Sequence, residues 1–448
     1  MYSQQSNIGK GVDWVSIWLY AILAIIGLVC IISVEYKTDV DFWESLFSLK
    51  TNYSKQLLYI GLSWVVASLI LLMDSKFFTA TPNILYLLGM LLMLATFVVG
   101  KEVNGSSSWI PLGFFNLQPV ETCKIFTALA VAKFLAQPNT DFTKPRDQLI
   151  ACGIAFLPIV FSLLQNETGL ALVYFAFLLP MYREGLPGIY LIIGASLGIL
   201  LVVTLLFPTK TLLIAFTVLA LLSLYFNRRK LKRKKSILLI VIAVWGFCTL
   251  FVGVVVPFIF THVFQKYQAD RIFSLVGRDN PFIKEDVAEF GDTDNKKKPS
   301  SGAENYNVKQ SKIAIGSGGF LGKGFLKGTQ TQGDFVPEQH TDFIFTSVGE
   351  NFGFLGSTLL MLLYMAFLLR MIFLAERQRS TFSRVYIYSV AGFLFFHIAI
   401  NIGMTIGLAP VIGITLPLLS YGGSSLLTFT ILIFIMIKLD ADRQMVLR

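Results

Sequence analysis

The chain has 448 residues, of which 55% are hydrophobic and 14% are charged, and its formal net charge is +10. One soluble core cannot bury so much apolar surface, so this composition excludes an ordinary water-soluble enzyme and indicates a polytopic membrane protein. The four cysteines all lie inside apolar runs, which argues against a disulfide framework and against a cysteine metal site.

Apolar runs follow one another along most of the sequence. A helix needs about 20 apolar residues to cross the hydrocarbon core, and runs of roughly this length predict an all-α membrane protein with about twelve transmembrane helices. The predicted spans are residues 15–33, 56–73, 84–99, 119–136, 149–165, 167–182, 187–206, 209–226, 236–260, 355–375, 385–407 and 411–438.

Basic residues predict the orientation of these spans. Residues 227–235 read NRRKLKRKK, and short loops rich in lysine and arginine stay on the cytoplasmic side. This stretch is therefore interpreted as a topology anchor, and no accompanying domain suggests binding to nucleic acid. Both termini, residues 144–147 and residues 376–384 are then cytoplasmic as well. The loops predicted on the outer side are 100–118, 165–167, 261–354 and 408–415.

Unusual polar and aromatic residues gather at this predicted outer face. Glu121 and Lys124 are three residues apart and share a helix face, where ionisable groups are costly unless they are paired or functional. A purely structural ion pair is the alternative. Trp109 is a candidate site residue or an interfacial belt residue. Glu167 is a candidate site acid or the partner of a helix N-terminus.

Two glycine-containing stretches add further candidates. Residues 310–325 carry Lys312 and Lys323 among several glycines, and backbone N–H groups in such a loop can hold phosphate oxygens. A simple turn is the alternative interpretation. Ser420 and Ser424 belong to SYGGSS, whose small residues would also suit close helix packing.

Several of these strings together resemble one family. The motifs are WIPLGFFNLQPVETCK (109–124), QNETGLALV (165–173), YQADR (267–271), the run from QSKIAIGSGG to NFGFLG (310–356) and LPLLSYGGSS (416–425). They are similar to motifs of the SEDS family (shape, elongation, division and sporulation), and the wording GTQTQGDFVPEQHTDFIF is more typical of its elongation branch than of its division branch. The resemblance covers most of the chain.

The resemblance implies a peptidoglycan glycosyltransferase in the bacterial cytoplasmic membrane. Such an enzyme polymerises lipid II at the extracytoplasmic face, acts on undecaprenyl-linked glycan and works with a class B penicillin-binding protein and other elongation-complex proteins. It also implies site roles for Gln118 in the QPxE motif and for Arg271 in YQADR. One SEDS-type transmembrane domain would then span residues 1–448, with 261–354 as its large extracytoplasmic loop.

Three departures from the family pattern stand out. Family members usually have about ten transmembrane helices, so residues 187–226 are interpreted as an added helical hairpin. Glu167 stands where the family usually has Asp, and Asn166 where it has Pro. The loop at 276–308 is longer than usual and contains Asp279, Asp286, Asp292 and Asp294.

The implied reaction needs a carboxylate base and positive charge. A base that takes the proton of the attacking sugar hydroxyl contributes about 10²–10⁴-fold. Asp279 is the predicted base because RDNP keeps an Asp and a nearby Pro at a similar distance from YQADR, and Asp286 is the alternative. Lys124, Lys312 and Lys323 are candidates to stabilise the departing diphosphate. A divalent cation, Mg²⁺ or Mn²⁺, is the other candidate for this role, and no further cofactor is predicted.

The stretch EQHTDFIF brings Glu338, His340 and Asp342 to the mouth of a predicted span. Glu338 and His340 are predicted to be functional, whereas capping of the helix N-terminus is the alternative for Asp342 and the neighbouring Thr341. A lipid-linked-sugar flippase, a division-type polymerase and a ligase acting on another acceptor are the rival functions. A flippase would need acids and lysines along a path deep in the bundle, whereas most of them here lie near one face.

Overall fold

The computed structural model describes residues 11–36, 41–103, 106–111, 116–231, 236–263, 273 and 301–443. Within these residues, nine helices are long and apolar enough to span a membrane, which confirms the predicted all-α polytopic fold. Up to residue 186 the helices are α1 (Trp14–Glu35), α2 (Phe42–Phe47), α3 (Asn52–Leu72), α4 (Ser75–Ala80), α5 (Pro82–Val99), α6 (Pro119–Leu135), α7 (Pro145–Leu164), α8 (Thr168–Val173) and α9 (Leu178–Arg183). The later helices are α10 (Ile189–Leu206), α11 (Thr209–Phe226), α12 (Arg228–Leu231), α13 (Ser236–Leu250), α14 (Val256–Phe258), α15 (Ser301–Ser317), α16 (Thr329–Gln332), α17 (Ile344–Glu376), α18 (Thr381–Thr405) and α19 (Gly423–Ala441).

Local sequence explains where several helices begin. Pro82, Pro119 and Pro145 occupy the start of α5, α6 and α7, where the missing N–H of proline is no loss because the first helical turn has no partner for it. The predicted span at 167–182 is interrupted, since a 3₁₀ turn at Tyr174–Phe177 joins α8 to α9.

A small antiparallel sheet forms between α5 and α6. Its strands are β1 (Lys101–Val103), β2 (Ser106–Pro111) and β3 (Asn116–Leu117), in the order β1-β2-β3. Lys101 pairs with Trp109, and Ile110 pairs with Leu117. The sheet carries the tryptophan segment directly to the first turn of α6.

Two further predicted spans differ from the helices observed. The span predicted at 355–375 is part of the longer α17, which starts at Ile344 and is kinked at Gly353 with φ 64° and ψ −157°. The last predicted span, 411–438, was placed too early, because α19 begins only at Gly423. Residues 411–422 are not helical, and positive φ angles at Gly413, Leu418 and Gly422 (66°, 67° and 158°) account for this.

The chain divides into two compact units. One unit comprises residues 187–306 and contains α10 to α14, with Trp245 Nε1 donating a hydrogen bond to Thr217 Oγ1 at 3.3 Å. Two π-helical turns, at Phe251–Val255 and Ile259–Val263, lie directly before and after α14. Whether 187–226 is an addition to the family fold stays a prediction.

The other unit comprises residues 1–186 and 307–448, and α18 and α19 lie at its centre. In the most apolar 18-residue stretch of α18 and of α19, 67% and 78% of the residues are buried. The corresponding share is 28% in each of α3, α5 and α7. Helix α1 approaches this core closely at Gly27, where a Cβ atom would lie 2.7 Å from the Leu418 carbonyl oxygen.

Ion pairs mark one end of this second unit. Arg370 pairs with Asp13, and Arg377 pairs with Asp440, whose side chain is fully buried. Arg183 forms two hydrogen bonds of 2.8 Å with Glu376, and Arg384 forms two of 2.7 and 2.8 Å with Glu184. The starts of α1 and α18 and the ends of α9, α17 and α19 meet at this end of the unit, which we call the basic end because of its arginines.

Candidate functional site

The opposite end of the same unit collects most of the predicted site residues. Gln118 N donates to Ser424 Oγ at 3.2 Å, which joins the start of α6 to the start of α19. Asn351 Nδ2 donates to Ser33 Oγ at 3.2 Å, which joins the start of α17 to the end of α1. The site residues and the basic ion pairs therefore lie at opposite ends of the bundle, as the sequence predicts.

A buried polar triad forms the deepest part of this end. Lys124 Nζ lies 3.0 Å from Glu121 Oε1 and 2.9 Å from His397 Nε2. Lys124 and His397 are fully buried, and Glu121 is 2% exposed. The Phe429 ring centroid lies 5.4 Å from the ammonium group, within the range of a cation–π contact. Glu121 and Lys124 thus share a face of α6 as predicted, but with a third partner.

Sequence reasoning missed His397. It lies in α18 within the apolar string FLFFHIAIN, and an imidazole inside a membrane span is costly unless it has partners. That signal was available, but nothing in the sequence paired His397 with Lys124, which lies 273 residues earlier.

A second cluster surrounds Glu167 just before α8. Ser108 Oγ donates to Glu167 Oε1 at 2.5 Å, and Gln118 Nε2 donates to the same oxygen at 3.2 Å. The sheet, the start of α6 and the turn before α8 therefore meet at one carboxylate. Trp109 follows Ser108 in β2 and is partly buried. Glu167 is also partly buried.

The segment around EQHTDFIF packs on the non-helical residues 411–422. Tyr421 N donates to the His340 carbonyl oxygen at 2.8 Å, and Ser420 Oγ donates to the Thr341 carbonyl oxygen at 2.6 Å. Burial raises the pKa of Tyr421 to about 12, so its phenol stays neutral next to the His340 ring, 5.9 Å away between centroids.

The residues just before α17 are bonded to one another and to α18. Phe343 is the N-cap residue of α17 and its own side chain forms no capping hydrogen bond, and capping by Asp342 stays a prediction. Thr341 Oγ1 instead donates to the exposed Glu338 carboxylate at 2.8 Å, and the Asp342 carbonyl oxygen accepts from Asn401 Nδ2 at 2.8 Å. Glu338, His340 and Asp342 all retain some exposure at this end of the bundle.

The glycine-rich run is held by a carboxylate that the sequence did not single out. Glu350 is fully buried at its carboxyl group, and its Oε1 lies 2.6 Å from Lys323 Nζ. Its two oxygens also accept backbone N–H bonds from Gln330 at 2.9 Å and Thr331 at 2.8 Å. The positive charge of Lys323 is therefore balanced by Glu350, whereas the Lys312 side chain is exposed beside Gly407.

Gly322→Ala is expected to destabilise this packing more than Gly319→Ala. Both glycines have positive φ, 81° and 58°, so alanine costs about 1 kcal/mol of backbone strain at either position. A Cβ at residue 322 would also lie 2.2 Å from the Asn351 carbonyl oxygen, whereas at residue 319 it meets nothing within 4 Å. Thermal unfolding in detergent measures the difference, and equal losses for the two variants would contradict this packing.

Three candidates lie outside the described residues: Arg271, Asp279 and Asp286. Their roles stay predictions. Within the part of the chain that the structure describes, no group of three or more histidine, cysteine or acidic side chains is arranged to hold a metal ion.

Comparison with known proteins gives the class of protein. The family model FTSW_RODA_SPOVE, described as cell cycle protein, matches residues 13–231 and 234–445. Because these matches cover nearly the whole chain, the chain belongs to this family, which is the SEDS family.

Relatives from several bacteria are similar over most of their length. The peptidoglycan glycosyltransferase MrdB of Escherichia coli K12 is 28% identical over 81% of this chain and 78% of its own. RodA of Treponema pallidum, also named a peptidoglycan glycosyltransferase, is 29% identical over 88% and 90%. The probable peptidoglycan glycosyltransferase FtsW of Coxiella burnetii is 29% identical over 98% and 99%.

Solved structures share the fold. One, described as the structural coordination of polymerization and crosslinking by a peptidoglycan synthase complex, matches with a TM-score of 0.65, 23% identity and coverage of 96% of this chain and 98% of its own. The rod shape determining protein RodA of Thermus thermophilus matches with a TM-score of 0.60, 22% identity and coverage of 97% and 98%. The fold is therefore that of a SEDS membrane protein.

Proposed function

We propose that this chain is a peptidoglycan glycosyltransferase that polymerises lipid II during cell elongation. Its relatives MrdB and RodA are named peptidoglycan glycosyltransferases, and FtsW is named a probable one. The observation that best supports the assignment is the position of the polar residues. Glu121, Lys124, Glu167 and His340 gather at one end of an apolar bundle, opposite the arginine ion pairs.

The chemistry needs a protected site at the membrane surface. A sugar hydroxyl oxygen forms a bond to the anomeric carbon of lipid II, the bond from that carbon to the lipid diphosphate breaks, and a carboxylate accepts the hydroxyl proton. Asp279 is the proposed base, with Asp286 as the alternative. Buried charge at the floor of the site fixes the local potential without reorganisation, which favours a transition state with developing charge.

The lysines have different parts in this proposal. Lys124 is fully buried and paired, so it acts on the site through the position of its neighbours and through its charge. Lys312 is exposed, and it is the better candidate to meet the departing diphosphate directly. Lys323 is held by Glu350 and stabilises the glycine-rich run.

The lipid substrate explains why the enzyme is built from membrane spans. The polyprenyl tail stays in the bilayer while the disaccharide diphosphate reaches the polar end of the bundle. A class B penicillin-binding protein is the proposed partner, because the similar solved complex is described as coordinating polymerization and crosslinking.

Labelling from outside the cell should distinguish the two ends of the bundle. In a variant without the four native cysteines, Lys327→Cys should react with a membrane-impermeant thiol reagent in intact cells, whereas Asn139→Cys should react only after the cells are opened. Both residues are exposed, and each lies at a different end of the same unit. Reaction of Asn139→Cys alone in intact cells would place the site in the cytoplasm and contradict the proposal.

Purified protein with labelled lipid II tests the activity itself. Glycan chains formed from lipid II as the sole substrate support the polymerase. Movement of lipid II between leaflets without product would support a flippase, and product only with a second glycan acceptor would support a ligase. Repeating the assay with a chelator and with added Mg²⁺ or Mn²⁺ tests the proposed role of a divalent cation.

A further inference from the structure

His397 connects two parts of the polar end. Its Nε2 atom lies 2.9 Å from Lys124 Nζ in α6, and its Nδ1 atom lies 3.1 Å from the Thr415 carbonyl oxygen. Thr415 belongs to the non-helical segment 411–422, and its hydroxyl lies 2.9 Å from Ser425 Oγ in α19. His397 thus stands between α6 and the segment that supports Ser420 and His340.

These contacts determine the tautomer of His397. The Lys124 ammonium group has only donors, so Nε2 must present a lone pair to it. The Thr415 carbonyl oxygen has only acceptor capacity, so Nδ1 must carry the proton. The imidazole is therefore neutral, with its single proton on Nδ1.

The surroundings leave little freedom for either side chain. Lys124 and His397 are fully buried, and the Phe429 ring packs edge-to-face on His397 with centroids 5.0 Å apart. Loss of the Nε2 acceptor would leave one ammonium N–H of the fully buried Lys124 without this partner. The ammonium would then have to shift towards Glu121 or recruit water.

We propose that His397 is a positioning residue of the glycosyltransferase site: it holds the Lys124 ammonium through Nε2, and the bond from Nδ1–H to the Thr415 carbonyl oxygen keeps the ring in the tautomer that can accept from Lys124. This inference rests on the proposed function. His397 does not contact substrate in this account. It sets the position of the Lys124 charge relative to the groups that do.

Two amide substitutions separate the two hydrogen bonds of His397. His397→Gln places an amide oxygen near the former Nε2 position, so it can still accept from Lys124. His397→Asn places an amide N–H near the former Nδ1 position, so it keeps only the bond to Thr415. Because a displacement of about 1 Å can cost roughly 10²-fold in rate, we expect His397→Asn to lower kcat by about that factor with little change in KM. His397→Gln should retain most of the wild-type kcat.

The comparison between the two variants shows whether activity depends on the acceptor that His397 presents to Lys124. Equal activity of His397→Gln and His397→Asn, whether both are high or both are low, would overturn the inference. A merely structural residue would make kcat follow the unfolding temperature of the two variants and not the presence of the acceptor. If the wild-type protein makes no glycan chains at all, the proposed function fails. The tautomer of His397 then still tests whether its Nε2 atom accepts a hydrogen bond from Lys124.

Nitrogen NMR measures the tautomer of His397 without any activity assay. The chain has only three histidines, so ¹⁵N-histidine spectra of the wild type and of His397→Gln identify the signal of His397 by difference. We expect a neutral imidazole protonated at Nδ1. A neutral ring protonated at Nε2, or a doubly protonated ring, would be incompatible with the contact to Lys124 and would overturn the inference.

Discussion

Asp279→Asn is expected to abolish glycan polymerisation while expression, membrane insertion and partner binding stay normal. Asparagine keeps the size of the side chain but cannot take up the proton of the attacking hydroxyl, and a general base contributes about 10²–10⁴-fold. A loop carboxylate outside such a role contributes little to stability. Glycan chain formation by the purified variant measures the effect.

The neighbouring aspartates supply matched controls for this experiment. Asp286→Asn, Asp292→Asn and Asp294→Asn should each keep most of the activity, because the sequence predicts a long loop there and such loops tolerate changes of this kind. Full activity of Asp279→Asn would remove its assignment as the base. Loss of activity only in Asp286→Asn would transfer the role to that residue.

Replacing either Glu121 or Lys124, or both, is expected to eliminate polymerisation. The pair is buried at 3.0 Å, so Glu121→Gln or Lys124→Met leaves a charge without its partner, which typically costs about 3–5 kcal/mol of stability. The double variant Glu121→Leu, Lys124→Met removes both charges and should recover much of that stability. A functional pair predicts no polymerisation in any of the three.

Activity and stability must therefore be measured together for these variants. If the pair is only structural, the double apolar variant should be stable and active, because replacing a buried ion pair by apolar residues is often neutral or stabilising. Normal polymerisation by that variant would reject a site role for both residues. An unfolding temperature near the wild-type value ensures that loss of activity is not loss of fold.

The sequence predicted correctly the spans that consist of one long apolar run. Helices α1, α3 and α5 lie within a few residues of their predicted ranges, because about 20 apolar residues can satisfy their backbone in a bilayer only as a helix. The same rule misplaced the start of α19. Residues 411–422 are apolar enough for a span, but their carbonyl groups are bonded by side chains such as Asn401, which donates to Ile414 O at 2.7 Å.

The candidate site was predictable only in part. Spacing along one helix placed Glu121 and Lys124 on a common face, and family motifs pointed to Gln118 and Glu167. The contacts of Lys124 with His397 and of Lys323 with Glu350 join different elements, so no local pattern shows them. Sequence reasoning counted Lys323 as available charge because it could not see the buried carboxylate that neutralises it.

The central claim is that polymerisation takes place at the polar end of the bundle, opposite the arginine ion pairs. The sidedness of polymerisation in sorted vesicles tests this claim most directly. Vesicles containing the Lys327→Cys variant, with no other cysteine, are biotinylated from outside and separated on streptavidin, and lipid II is then added to the outer leaflet only. Its charged headgroup keeps it there, since moving charge through the bilayer is costly. Glycan chains should form in the streptavidin-bound vesicles, whose Lys327 end faces outward. Chains formed instead in the unbound vesicles would place catalysis at the basic end and contradict the account.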